Sequence, residues 1–296
     1  MNTKVLITID TEVRNEGRHL EDAFDRYVLG KVNNGDTYGC FWISDEIKKH
    51  GLVGDYYIDV YASAEFKNMP YAELCRRLLD EGHSLQLHTH PDRMYDRNRL
   101  NMHEYSLVEQ TEIISTGISL MKQWTGKRPV GHRAGRYGAD ENTLIALQKN
   151  KLLYDSSFFF RRENCKLSFP NSNEPSIKHG VVEVPVTTVK VPIIKKGFRF
   201  PQWTIPIWRL YYKLDVNAMS GEELCRAVLS LKGKVPYIVT FLHSFSFVKR
   251  TADGFAVDEK SVNSFKSLLS MLEKKNIPVI TLDDVKDDYS LANNPK

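Results

Sequence analysis

The chain is sparing in several features that would have fixed its class at once. It has only four cysteines in 296 residues, Cys40, Cys75, Cys165 and Cys225. They lie far apart and form no Cys-x-x-Cys pair, which argues against a thiol redox motif or a disulfide framework. Cys75 and Cys225 fall inside helical patterns, where a free buried thiol is the usual state, and a reducing cytoplasm is the expected setting. No stretch approaches the ~20 consecutive apolar residues of a membrane span. The opening residues hold a short apolar run that ends in charge at Asp10, which does not read as a signal peptide. The net charge of +4 is mild, and nucleic acid is not an expected partner. Repeats, low-complexity segments and a convincing linker are all missing, so a single domain over 1–296 is expected, with insertions near 13–39, 160–180 and 190–216.

What is there is an ordinary globular composition, 42% hydrophobic and 26% charged. Short β-rich runs alternate with helical patterns. Strands are expected over 4–9, 55–61, 83–90, 128–133, 181–186, 236–242 and 277–282, and residues 160–180 read as a polar loop. Helices are expected over 41–50, 70–81, 104–124, 140–151, 220–231 and 258–275. Ser220 with Glu223 makes a capping box, in which each side chain satisfies the other's backbone amide. Such alternation predicts an α/β fold, a closed or nearly closed (β/α) barrel of about seven parallel strands.

In such barrels chemistry collects at the carboxyl ends of the strands. Asp10 and Glu12 follow the first strand, His88 and His90 the third, Arg133 the next, Asp155 the short run Leu152-Leu153-Tyr154 after the 140–151 helix, and His243 the penultimate strand. His88 and His90 lie two apart, so an extended chain points both to one side, which suits two ligands on one ion. Asp92 lies four beyond His88 and can reach the same ion if the chain turns helical after Pro91.

The ordered set Thr8-Ile9-Asp10-Thr11-Glu12, Gly82-His83 through His88-Thr89-His90-Pro91, Arg133-Ala134-Gly135 and Phe241-Leu242-His243-Ser244 resembles the polysaccharide deacetylases of carbohydrate esterase family four. The resemblance covers nearly the whole chain. Tyr154-Asp155-Ser156-Ser157, Glu183-Val184-Pro185-Val186 and the closing Ile277-Pro278-Val279-Ile280-Thr281-Leu282-Asp283-Asp284 also look like family segments. It implies a distorted barrel, a divalent metal (usually zinc) and hydrolysis of an N-acetyl group on a sugar. Carried onto this chain, it makes Glu12, His88 and His90 the metal ligands, with Asp92 the alternative to His90. Asp10 becomes the general base, Arg133 the cation that holds Asp10 ionised, and His243 the general acid. Asp155 is a candidate to orient His243. Three departures stand out. Thr11 separates Asp10 from Glu12 where the family has adjacent acids, so base and ligand roles could be exchanged. The histidines are two apart rather than four. The third motif continues as Arg136-Tyr137, which leaves the family's oxyanion donor open and makes Arg136, Tyr137 and, further on, Trp203 candidates for substrate contact.

Residues 195–213 mix bases with aromatics. That composition suits a sugar surface, an anionic membrane surface as a peripheral contact, or packing over the barrel side. The reading that follows is a cytoplasmic, metal-dependent deacetylase acting on an N-acetylated sugar of a surface polysaccharide or glycoconjugate precursor. The rivals are a metal-dependent hydrolase of a non-sugar amide and a non-catalytic glycan-binding protein on the same fold.

Overall fold

The computed structural model describes residues 2–192 and 209–293. Its first strand, β1 (Lys4–Thr11), is buried along almost its whole length, as a strand inside a parallel sheet covered on both faces is. There follow α1 (Cys40–Lys49), β2 (Asp55–Asp59), α2 (Ser63–Phe66), α3 (Asn68–Asp80), β3 (Ser84–Thr89), α4 (Leu107–Thr125), β4 (Gly131–Ala134), α5 (Glu141–Lys149) and β5 (Tyr154–Asp155). The second half brings β6 (Ser176–Lys178), β7 (Val181–Glu183), β8 (Thr188–Pro192), β9 (Arg209–Asp215), α6 (Gly221–Leu231) and β10 (Tyr237–His243). A hairpin of β11 (Val248–Thr251) and β12 (Gly254–Val257), then α7 (Glu259–Lys274) and α8 (Leu282–Asn293), complete the described chain.

The main sheet runs β6-β7-β5-β4-β3-β2-β1-β10-β9-β8. Its pairings are parallel except at the two edges, where β6 and β8 lie antiparallel to their neighbours. The sheet curls as a half-barrel of mostly parallel strands. This is the distorted α/β barrel the alternation predicts, left open between its antiparallel edges rather than closed. Parallel strands need crossovers of a dozen or more residues, and helices supply them. The longest, α4, shows how the sequence sets an element. Ser106 and Glu109 cap its start reciprocally, and Gly126 ends it in the left-handed conformation (φ 74°). Ile113, Ile114, Gly117, Ile118, Met121 and Trp124 form its buried stripe. Gly117 is required there because an added Cβ would meet the Tyr61 hydroxyl and Leu87.

Two expectations need correction. The strand expected over 277–282 is reduced to one parallel bridge, Val5 to Val279. Thr281 then starts α8: its N–H donates to Asp284 Oδ2 at 2.8 Å, and Leu282 N–H donates to the buried Asp55 carboxylate at 2.9 Å. Those two bonds stop the extended chain. The expected loop over 160–180 contains the short edge strand β6.

The sheet fixes which polar residues meet. Asp10 lies opposite His243 on one side and Tyr57 on the other. His88 lies opposite Asp59 and Arg133, and Asp155 lies opposite His132 and Glu183. Asp10, Asp59, His88, Arg133, Asp155, Glu183 and His243 are at or next to the carboxyl ends of their strands.

Candidate metal centre and active site

Glu12, two residues beyond Asp10, leaves the end of β1 with its backbone tied to β10. Ser244 N–H donates to Asp10 O at 2.9 Å, and Ser244 Oγ bonds the Glu12 carbonyl at 3.3 Å. This points the Glu12 carboxylate across the mouth toward β3. There Glu12 Oε2 lies 3.2 Å from His88 Nε2 and in contact with His90 Nε2. The three donor atoms lie within 4.8 Å of one another, a spacing that suits one shared metal ion. The two imidazole rings stand edge to face, 4.9 Å apart.

The donor chemistry fits a metal. His88 Nδ1 lies 2.8 Å from the Arg133 carbonyl. A carbonyl can only accept, so Nδ1 carries the ring proton and Nε2 keeps its lone pair for a ligand role. His90 Nε2 is buried and has no hydrogen-bond partner, although it abuts Glu12. Two imidazoles and one carboxylate are the donor set of open catalytic zinc sites. Burial alone would raise the Glu12 carboxyl, but the two imidazoles beside it, His90 foremost, hold it well below the usual carboxylate range. It is therefore ionised, as a ligand must be.

Gly135 explains how His90 reaches this position. A Cβ there would lie 2.6 Å from His90 Cε1 and 2.7 Å from Nε2, and would also strike the Thr89 carbonyl. The third motif thus lays bare backbone under the ring of the second. Gly135→Ala is expected to displace His90 and weaken metal binding by about 10- to 100-fold, with little change in far-UV circular dichroism; a metal titration checks it.

Asp92, the alternative ligand, turns away. Its Oδ2 accepts from Arg18 at 3.0 Å and its Oδ1 from Arg136 at 3.1 Å, and its nearest approach to His90 is 3.9 Å, at Nδ1. Arg136 also reaches His90 Nδ1 at 3.1 Å and the Leu100 carbonyl at 2.8 Å. Both residues brace the far side of His90 instead of facing the cluster. Arg136 and Tyr137 sit at positive φ, 56° and 61°, a conformation that non-glycine residues adopt only under strain and mostly at functional sites. Trp203 lies outside the described residues.

Asp10 stands beside this cluster with its two oxygens divided. Oδ1 accepts from Arg133 Nη1 at 2.7 Å, and Oδ2 lies 3.6 Å from His88 Nε2. Arg133 is wholly buried. Its Nη1 also donates to Thr8 Oγ1 at 3.1 Å, its Nε to the Ser156 carbonyl at 3.0 Å and its Nη2 to Ser156 Oγ at 3.1 Å. It lies over the Tyr57 ring at 4.0 Å. Burial would raise the Asp10 carboxyl, but the Arg133 guanidinium, followed by His88 and His243, holds it below its ordinary value. A carboxylate that is ionised, fixed at one oxygen and open at the other is the result.

His243 closes the mouth on the other side, with Nε2 3.7 Å from Glu12 Oε1. Its ring stacks on Phe245 at 4.6 Å and meets Phe241 edge-on at 4.7 Å. Burial lowers its imidazole, opposed by Glu12. Asp155 does not orient it. Instead Asp155 Oδ1 bonds His132 Nδ1 at 2.7 Å and accepts from Ser157 Oγ at 2.8 Å, because the register of β4 and β5 sets these residues opposite each other. His132 in turn reaches Thr89 Oγ1 at 3.0 Å, between His88 and His90 in the chain.

Two residues escaped the sequence reading. Lys213 on β9 donates to the Tyr137 hydroxyl at 3.1 Å, pairs with Asp215 at 3.3 Å and lies over the Phe241 ring. Burial pulls its ammonium down to about 8, against Asp215 and Asp10. Its only signal was the alternation of charge in Lys213-Leu214-Asp215. Asp59 ends β2 fully buried, 3.6 Å from Arg93. Its signal was a carboxylate near the end of the expected strand 55–61; its place opposite His88 comes only with the register of the sheet.

The fold built around this site is that of the polysaccharide deacetylases. A protein described as a polysaccharide deacetylase from Mycobacterium smegmatis superposes with a TM-score of 0.61 at 14% identity, over 99% of this chain and 92% of that one. A peptidoglycan N-acetylglucosamine deacetylase solved with an N-hydroxybenzamide compound gives 0.50 at 14% identity, over 95% and 86%. A Bacillus anthracis pseudoenzyme of carbohydrate esterase family four also gives 0.50, at 9% identity, over 96% and 65%. No family model matches the chain. A 49-residue stretch is 43% identical to a peptidoglycan deacetylase-like protein of Gibberella zeae, taking in 17% of this chain and 14% of that protein. The fold is thus shared by active enzymes and by a pseudoenzyme, and the side chains at the mouth have to distinguish them.

Proposed function

We propose that the chain is a metal-dependent hydrolase that removes an N-acetyl group from a sugar of a surface polysaccharide or glycoconjugate precursor. The observation that carries this is the convergence of Glu12 Oε2, His88 Nε2 and His90 Nε2 beside an Arg133-held Asp10. A catalytic centre needs ligands, a base and an acid on one mouth, and here Asp10, Glu12 and His243 stand within one cluster. Glu12, His88 and His90 would hold a divalent ion, zinc by their donor set, which when bound would supply Lewis-acid chemistry to the acyl carbonyl.

The chain's own residues do the rest. Asp10 Oδ2, the oxygen that Arg133 leaves open, takes the proton of the attacking water. Arg133 keeps that carboxylate ionised and prevents its rotation. His243, wedged between Phe241 and Phe245, delivers a proton to the nitrogen as the carbon–nitrogen bond breaks, so that acetate and a free amine leave. Glu12 is the nearest counter-charge for the imidazolium. Arg136, Tyr137 and Trp203 are the candidate contacts to the sugar.

No helix among the described residues is long and apolar enough to cross a membrane. The four cysteines are unpaired, which supports a cytoplasmic setting and a precursor rather than a finished wall as substrate. The test is acetate release from N-acetylated oligosaccharides by zinc-loaded protein. Release that disappears in His243→Ala supports the reading. Zinc-loaded protein that releases acetate only from small non-sugar amides replaces it with the rival hydrolase.

A further inference from the structure

Arg161 and Lys190 differ from the other cations that lie over aromatic rings. Among the described residues, each of the others also has a carboxylate within 4.0 Å, as Arg14 has Glu16, Arg99 has Asp96 and Lys213 has Asp215. Arg161 and Lys190 have none, yet both lie over the same ring, that of Tyr211, at 5.1 and 5.4 Å from its centre. Arg161 lies over Phe160 as well, at 5.4 Å, and Phe160 meets Tyr211 edge to face at 4.8 Å. Two like charges at one ring, with no carboxylate beside either, are both favoured by an anion that binds near that ring. Arg161 holds this place at φ 62°, in the left-handed region that an arginine enters only with strain. Both cations are exposed, while the two rings are half-buried.

The cluster is continuous with the site. Tyr211 lies two residues before Lys213, hence on the same face of β9. Lys213 reaches Tyr137, and Tyr137 packs edge-on against Phe159, the neighbour of Phe160. No acidic residue occurs anywhere from 190 to 214, a span with six bases. We propose that Phe160, Arg161, Lys190 and Tyr211 form a subsite for a carboxylate-bearing sugar unit, placed along the glycan from the N-acetyl group at the metal centre. A ring face takes the apolar face of a pyranose, and the paired cations take its carboxylate. The rings are set edge to face in the surface rather than standing out from it, which favours a sugar over a lipid bilayer. The inference rests on the glycan reading of the active site.

The experiment titrates the full chain with two probes of equal length. One is a hexasaccharide of alternating glucuronate and N-acetylglucosamine, the other a hexasaccharide of N-acetylglucosamine alone, with acetate release read in the same samples. The acidic probe is expected to bind about ten-fold tighter at low salt, with the advantage shrinking as salt rises. Arg161→Ala with Lys190→Ala is expected to erase that advantage while leaving binding of the neutral probe and metal content unchanged. Equal binding of the two probes, an advantage that survives the double substitution, or a charge-dependent affinity shown only for phosphatidylserine vesicles would each overturn the proposal. Acetate release from both probes without a preference removes the subsite and keeps the deacetylase reading. A preference that depends on Arg161 and Lys190 without acetate release keeps the subsite and removes that reading.

Discussion

Asp10→Asn is expected to lower acetate release by about 10²- to 10⁴-fold while the protein keeps its metal. The amide has the size of the carboxylate and can still accept from Arg133, so the geometry around Oδ1 is retained. What is lost is a basic oxygen at the Oδ2 position, 3.6 Å from His88 Nε2. The experiment also decides how the two acids of the first motif divide their work. Glu12 converges with His88 and His90, whereas Asp10 is claimed by Arg133. If the roles were exchanged, Asp10→Asn would release the metal and Glu12→Gln would keep it. Elemental analysis beside the rate measurement separates these outcomes.

Arg133→Met is expected to destabilise the fold by about 3–5 kcal/mol, because it leaves Asp10 as an uncompensated buried charge. The guanidinium is fully buried and joins three strands' ends through Asp10, Thr8 and Ser156. Methionine fills much of the same volume against Tyr57, so the loss is electrostatic more than steric. The sign of the pH dependence follows from the same pair. Burial pushes the native Asp10 carboxyl up, but Arg133, joined by His88 and His243, holds it below its unfolded value. The unfolded chain therefore binds more protons as pH falls through the carboxylate range, and the wild type loses this stabilisation there. The Met variant should lose less on acidification, since it has less of that stabilisation to begin with. Urea unfolding at neutral and at acid pH measures both effects. Equal midpoints for the two proteins at neutral pH would show that Arg133 is not the partner that keeps Asp10 charged.

How far these residues could be read from sequence depended on which direction of the sheet each relation follows. Relations along one strand were legible. His88 and His90 had to share a side, and Asp10 and Glu12 had to leave the same strand end. Relations across strands were not, because the register of a parallel sheet is set by packing of its helices and cannot be read from either strand alone. Asp155 was therefore matched to the wrong histidine. It meets His132, its register partner, and not His243. Lys213 was hidden for the same reason: its meaning lies in Tyr137 and Phe241, on two other elements. Asp92 shows what spacing alone leaves open. The distance from His88 allowed ligation, but Arg18 and Arg136 occupy its carboxylate. The end of the chain failed differently. Residues 277–282 are apolar enough for a strand, yet capping at Thr281 and Asp284 converts the run into a helix after one bridge. Gly135 was visible as a letter of the third motif, but its need came only with the His90 ring against it.

Metal content measured on purified wild type, His88→Ala and Glu12→Ala tests the central claim most directly, because it requires no knowledge of the sugar. About one zinc-like transition-metal ion per chain is expected in the wild type and almost none in either variant, with all three proteins folded by circular dichroism. Wild-type protein that stays metal-free after incubation with zinc, or variants that retain a full equivalent, would contradict the account and leave the chain a glycan-binding barrel without a catalytic centre.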